Sequence, residues 1–306
     1  MENMNRTASD VPFQQPATGA EPMNPGASGV APRPRLQFLR VLAGQIEASG
    51  IPLDQRVLIV GGSADDERLL RQVGFKDIVN SNLPTDMDRM VADASVPGTQ
   101  HIALDVEQME LPDDSFDLVF ASEVLHHCRS PHHALCEMLR VCRRYVVFME
   151  PNDSLAMAAL VRMKFSFPYE LPAVVAHDYR SGGLRDSQIP NFIYRWNGHE
   201  VLKTVSACIP ERTFSVHAYP YWDFEVTKKD LDLRKATRLG SITSVMGAAN
   251  FISLLRFAQF FLNWIRPLRG QGNKFLCCIE KSADLKPWMA HDGAEIVFNR
   301  EFGQQK

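Results

Sequence analysis

Six histidine and cysteine side chains crowd one short stretch of this chain: His126, His127, Cys128, His132, His133 and Cys136. Imidazole and thiolate are zinc ligands, so the density invites a metal reading. Closed zinc sites usually draw ligand pairs from separated segments, and no second pair is evident; no metal is expected. Imidazole also titrates near neutrality, which suits His127 to act as general base on an acceptor hydroxyl. A second feature is Gly61-Gly62-Ser63, directly after the apolar run that ends at Val60. Glycines there let backbone amides approach a ligand, and a helix opening just beyond presents unsatisfied N–H groups.

The elements that must hold these residues alternate along the chain. A helix is predicted over Arg35–Ser49, a strand over Arg56–Val60 and a helix over Asp65–Val73 that ends at Gly74. Further strands are predicted over Lys76–Asn80, His101–Leu104, Phe116–Ala121 and Tyr145–Met149. Helices are predicted over Met87–Ala94 and Pro131–Cys142, the second opened by Ser130 as cap and Pro131 in the first turn. Such alternation predicts a parallel sheet covered on both faces, with ligands beyond the carboxyl ends of its strands. The loops after residues 60, 80, 104 and 121 are therefore where chemistry is expected.

His101–Pro131, HIALDVEQMELPDDSFDLVFASEVLHHCRSP, resembles the methyltransferase type 11 family, a small-molecule branch of the class I S-adenosylmethionine-dependent methyltransferases. It carries the acid at a strand end, the Leu-Pro turn, the Ser-Phe-Asp-Leu-Val strand and the Glu-Val-Leu-His-His segment in the family's order. The resemblance covers 56–151. It implies an α/β, Rossmann-like seven-stranded, mostly parallel sheet with helices on both faces and helical insertions over the acceptor site. It also implies S-adenosylmethionine as cofactor. Gly61, Gly62 and Ser63 would pack against its amino-acid part, and Asp105 would accept a bond from the adenine amino group with Val106 beside the ring. Ser122 and Glu123 would lie near the methionine portion, and His127 near the reactive methyl. The chain departs from the pattern in two places. Only one of the first motif's three glycines is kept, with Ser63 and Asp65 at the other positions. The acid that binds the ribose normally ends the second strand, where this chain has Val79-Asn80-Ser81-Asn82, so Ser81 or Asn82 must substitute.

Beyond residue 151 the alternation weakens. Asn152–Arg195 is irregular, a helix with a capping box opens at Asn197, and strands are predicted over Thr213–Tyr219 and Lys274–Lys281. The expected organisation is a disordered tail over 1–34, a cofactor-binding core over 35–151, sheet completion with acceptor-site insertions over 152–285, and a C-terminal extension over 286–306. Tyr169, Tyr179, Arg180, Tyr194, Arg195, Trp196, Tyr219, Tyr221 and Trp222 in and beside the insertions suit a sugar ring or an aromatic acceptor. Asn191–Trp196 and Gly272–Phe275 also resemble methyltransferases encoded among polysaccharide genes, which would favour a glycan. Met246–Leu268 reads as an amphipathic helix: Arg256, Gln259, Asn263 and Arg266 gather opposite Phe251, Leu254, Ala258, Phe261 and Ile265. Its expected role is packing on the domain, with peripheral membrane contact as the alternative.

The formal net charge of -3 and the lack of a basic stripe give no reason to expect a nucleic acid. No signal-like stretch opens the chain and no disulfide spacing is evident, so reduced thiols in a cytoplasmic protein are expected. The leading expectation is O- or C-methylation of a small or glycan-type acceptor. The alternative is a binding or scaffolding protein that kept the fold and lost cofactor affinity. An NAD-dependent oxidoreductase fits less well, because the GxGxxG turn is lacking.

Overall fold

Val57-Leu58-Ile59-Val60 is buried at every position, the mark of a strand covered on both faces. In the computed structural model, which describes residues 35–84, 87, 99–170, 192–224, 226, 231–232, 238–293 and 295–303, this run is β1 at the centre of a seven-stranded sheet. The strands are β1 (Val57–Val60), β2 (Ile78–Asn82), β3 (Gln100–Ala103), β4 (Phe116–Ser122), β5 (Cys142–Pro151), β6 (Arg212–Tyr221) and β7 (Lys274–Leu285). Their order is β3-β2-β1-β4-β5-β7-β6. The first five run parallel, and β7 lies antiparallel between β5 and β6. The tail over 1–34 and all but Met87 of the helix expected over Met87–Ala94 lie outside the described residues.

Alternation along each strand divides the core in two. Val57 and Ile59 point to the face covered by α1 (Leu36–Ala48) and α2 (Ala64–Val73), where Phe38, Leu42 and Leu70 meet them. Leu58 and Val60 point to the opposite face, packed by Ala134, Leu135 and Met138 of α3 (Pro131–Val141). After β5 come α4 (Leu155–Arg162) and α5 (Gly198–Cys208). Val201 and Val205 of α5 join the second cluster, together with the fully buried Trp196. Strand order reverses between β1 and β4, which opens a crevice at their carboxyl ends, the usual ligand position in such sheets.

Four expectations need correction. Ser130 does not cap α3 with its side chain; instead the Glu107 carboxylate accepts from the backbone N–H groups of Arg129 (3.0 Å) and Ser130 (2.7 Å). The thiols are not all reduced: Cys136 on α3 and Cys208 at the end of α5 form a disulfide, because the two helices pack with these Cα atoms 5.4 Å apart. Met246–Leu268 is not one helix. It is divided among α6 (Arg238–Met246), α7 (Ala248–Trp264) and α8 (Arg266–Arg269), with a break at Gly247, whose φ is +79°. The C-terminal extension holds a hairpin, β8 (Met289–Asp292) and β9 (Glu295–Phe298), that the sequence pattern did not announce.

Candidate functional site

The crevice is floored by the turn after β1. Gly61 is exposed with φ +60°, and a Cβ there would stand 2.8 Å from both γ-carbons of Val124. The bare backbone is thus what lets the β1 and β4 loops approach. Gly62 serves packing instead: it is buried, and an added Cβ would lie 2.1 Å from Asn80 Oδ1 and 2.5 Å from Ile59 Cγ2. Ser63 caps α2 in a reciprocal box with Asp66, whose carboxylate accepts from the Ser63 backbone N–H at 3.0 Å. The Ser63…Asp66 spacing that forms this box is legible in the sequence.

Across the crevice, Glu123 ends the β4 turn with φ +58°, a left-handed conformation that costs a non-glycine residue energy and marks functional sites. Its carboxylate pairs with the Lys274 ammonium, which the Pro151–Lys274 pairing of β5 and β7 brings to the same edge. Arg35, just before α1, closes the ring. One guanidinium nitrogen donates to Asp66 Oδ1 at 2.7 Å; the other donates to Ser122 Oγ at 2.7 Å and lies 3.8 Å from Glu123 Oε2. Burial, and then the neighbouring guanidinium of Arg35, pull the Lys274 ammonium down to about 7. Two cations facing two carboxylates and a hydroxyl beside a bare glycine suit a zwitterionic amino-acid group.

The other expected contacts fall unevenly. Asp105 is exposed at the end of β3, where its Oδ1 accepts from Glu107 N at 2.9 Å, so the carboxylate also shapes its own turn. Val106 packs into the core beneath the loop. Ser81 does not reach the crevice. It is fully buried and its hydroxyl donates to Ile59 O at 2.7 Å, because its place in β2 turns the side chain onto β1. Asn80 and Asn82 brace the glycine turn, donating to Ser63 O (3.3 Å) and Gly62 O (3.1 Å). The side chains that end β2 are therefore spent on the β1 loop.

Beyond Val124 the chain makes a 3-10 turn over Leu125–His127, fastened from beneath by Glu150. This fully buried carboxylate at the end of β5 accepts from Val124 N (2.8 Å) and Leu125 N (2.7 Å) and pairs with His126 Nδ1 at 2.6 Å. His126 Nε2 faces Glu170 Oε1 at 3.3 Å, and His127 Nε2 lies 3.6 Å from Glu170 Oε2. Burial disfavours the charged His126 ring, but Glu150, then Glu170, outweigh it and push the imidazole up to about 10. Burial likewise raises the Glu170 carboxyl, and the two histidines outweigh it, leaving it below the usual range. His126, His127 and Glu170 place ligand-type atoms within 4.8 Å of one another. The His126 ring is bonded at both nitrogens, Nδ1 to Glu150 and Nε2 to Glu170, so these groups form a charge network. The remaining members of the histidine–cysteine stretch scatter: His132 bonds Thr204 Oγ1 (2.8 Å) and Tyr194 OH (3.1 Å), and Cys136 is in the disulfide.

Part of this chain is similar to known proteins. Residues 60–149 match the family model described as methyltransferase domain. The ubiquinone/menaquinone biosynthesis C-methyltransferase UbiE of Ectopseudomonas mendocina (strain ymp) is 31% identical over 135 residues, 40% of this chain and 53% of that protein. The UbiE of Vibrio vulnificus (strain YJ016) is 32% identical over 106 residues, 32% of this chain and 41% of that protein. The chain thus spans about half the length of the curated relatives it matches, or less. Among solved structures, the YcgJ protein from Bacillus subtilis superimposes with a TM-score of 0.48 at 15% identity, covering 81% of this chain and 99% of that one. Residues 60–149 are thus similar to a methyltransferase domain, a domain whose cofactor is S-adenosylmethionine. The residues present fit its polar ends: Arg35, Lys274, Ser122 and Glu123 fit the amino-acid group, and the exposed Asp105 carboxylate fits an amino donor. Among the described residues no carboxylate stands at the end of β2 for the ribose.

Proposed function

We propose that this chain transfers a methyl group from S-adenosylmethionine to a small-molecule acceptor, at carbon. The observation that carries the reading is the ring of Arg35, Ser122, Glu123 and Lys274 around Gly61 at the reversal point of the sheet. Methylation at carbon is supported by the relatives, which are named C-methyltransferases. A glycan acceptor has less support, since Trp196, Tyr221 and Trp222 are buried core rather than a sugar platform. An exposed aromatic pair, Tyr169 and Phe192, instead packs edge-to-face beside Glu170.

Bound in the crevice, the cofactor supplies an already activated methyl on a sulfonium, so alignment carries much of the rate. Arg35 and Lys274 would hold the carboxylate of its amino-acid part, and Glu123 would hold the ammonium. Tyr169 and Phe192 hold the acceptor by its apolar faces. His127 Nε2 takes the acceptor's proton as the new bond to carbon forms, and Glu170 balances the charge that the ring acquires. Glu150 and His126 hold the turn that carries His127. They are positioning residues.

Isothermal titration with S-adenosylmethionine tests the reading. Micromolar binding is expected, weakened roughly ten- to hundredfold by Arg35→Ala, the usual worth of a charge-assisted bond. No binding at millimolar ligand overturns it and leaves the scaffold alternative.

A further inference from the structure

A helix packed on a globular body normally hides its apolar face. The helix α7 does the reverse. Its amides Gln259 and Asn263 point inward. Gln259 Oε1 accepts from Phe224 N at 2.6 Å, while Asn263 accepts from Trp222 N and donates to Trp222 O, both at 2.8 Å. Of its large apolar residues only Phe251 is buried. The side turned away from the body carries Leu254, Phe257, Phe260, Phe261 and Trp264. Phe257, Phe260 and Trp264 are 64, 67 and 74% exposed, more than single scattered apolar residues on a soluble surface would explain. Phe257 and Phe260 each pack edge-to-face on Phe261, so the rings form one continuous patch.

The charges carried by this segment have one sign. From Leu239 to Gly270 the chain holds Arg256, Arg266 and Arg269 and no aspartate, glutamate or lysine. Arg256 and Arg266 are exposed, and Arg269 lies over the ring of Tyr219. Aromatic rings with arginines at their margin match the boundary between acyl chains and anionic headgroups. A second copy of this chain would bring the same arginines to the same patch. Among the described residues no single helix is long and apolar enough to cross a membrane, and α6 meets α7 at 110°. The inward amides further commit one side of α7 to the protein.

We propose that α7 docks this domain on an anionic lipid bilayer, lying in the plane of the interface with Phe257, Phe260 and Trp264 inserted among the acyl chains. The lipid surface so defined flanks the sheet edge that carries Lys274, because the helix is tied to Trp222 and Phe224 just after β6. The docking does not depend on the chemistry of the crevice.

Co-sedimentation of the full chain with phosphatidylcholine vesicles, with and without phosphatidylglycerol, tests the proposal. Binding to the anionic vesicles is expected, at least tenfold tighter than to neutral ones and weakened by salt. The triple variant Phe257→Ser, Phe260→Ser, Trp264→Ser replaces exposed groups only and retains the fold by circular dichroism. It loses roughly a hundredfold or more in vesicle affinity. Arg256→Gln with Arg266→Gln abolishes the preference for phosphatidylglycerol. Equal partition of the triple variant and the parent overturns the proposal. So does a parent that ignores vesicles and instead forms a dimer, by light scattering, that the triple variant dissolves.

Discussion

Replacing Glu150 separates its charge from its shape. The carboxylate is fully buried and serves three partners: the N–H groups of Val124 and Leu125 through one oxygen and His126 through the other. Glu150→Ala strands two buried donors and an imidazolium, and removing one member of a buried pair costs about 3–5 kcal/mol. Glu150→Gln keeps an oxygen for the two N–H groups and offers an N–H to a neutral His126, so the loss at neutral pH reflects mainly the missing charge. That charge has a pH signature. His126 is held at about 10 against the ordinary 6.5, so its folded-state pKa is raised. The stability it contributes is fully present below about pH 6.5 and is lost as pH rises through about 10. Of a contribution near 4 kcal/mol at pH 7, roughly 3 kcal/mol disappears by about pH 9.5, at 1.36 kcal/mol per pH unit. Urea denaturation followed by tryptophan fluorescence measures it. The gap between the parent and Glu150→Gln shrinks by about that amount between the two pH values, while other titrating groups cancel in the difference. A gap that stays constant with pH would show that His126 is neutral in the native protein and refute the charge network.

Affinity for S-adenosylmethionine weakens as pH rises through about 7, where Lys274 loses its proton; calorimetry at pH 6.5 and 8.5 shows a fall of roughly tenfold, absent in Lys274→Met. Gly61→Ala places a side chain at φ +60° and 2.8 Å from Val124, costing about 1–2 kcal/mol for the backbone alone; adding Val124→Ala recovers the contact part but not the backbone part in thermal denaturation. Cys136→Ser opens a disulfide that joins positions 72 residues apart. Loop-closure entropy puts the loss at up to about 4 kcal/mol, read as a lowered Tm that reductant no longer changes.

The sheet was legible because each strand carries its own signal. Val57–Val60 and Phe116–Ala121 are apolar runs bounded by turn residues, and burial on both faces demands that composition wherever a parallel strand lies. Gly61 and Glu123 were legible for a related reason: a strand end at the reversal point is fixed by the strand itself. Partners contributed from far along the chain were not. Lys274 reaches Glu123 because β7 inserts between β5 and β6, Arg35 because α1 packs on the sheet, and no local pattern encodes either placement. Ser81 failed as a crevice residue because β2 runs to Asn82, two residues past the expected end, so Ser81 lies within the sheet and its hydroxyl is spent on the Ile59 carbonyl of β1. For α7 the helical wheel set Gln259 and Asn263 opposite Leu254 and Phe261, as the structure has them, but it put the buried Phe251 with the outward set and the exposed Arg256 with the inward one. The assumption that apolar means inward turned the aromatic side the wrong way. Two amides that satisfy the backbone of Trp222 and Phe224 outweigh the burial of an aromatic face only if that face has another apolar partner. The inversion therefore argues for a surface outside the chain, and a helix that sequence patterning reads as core is where that surface is met.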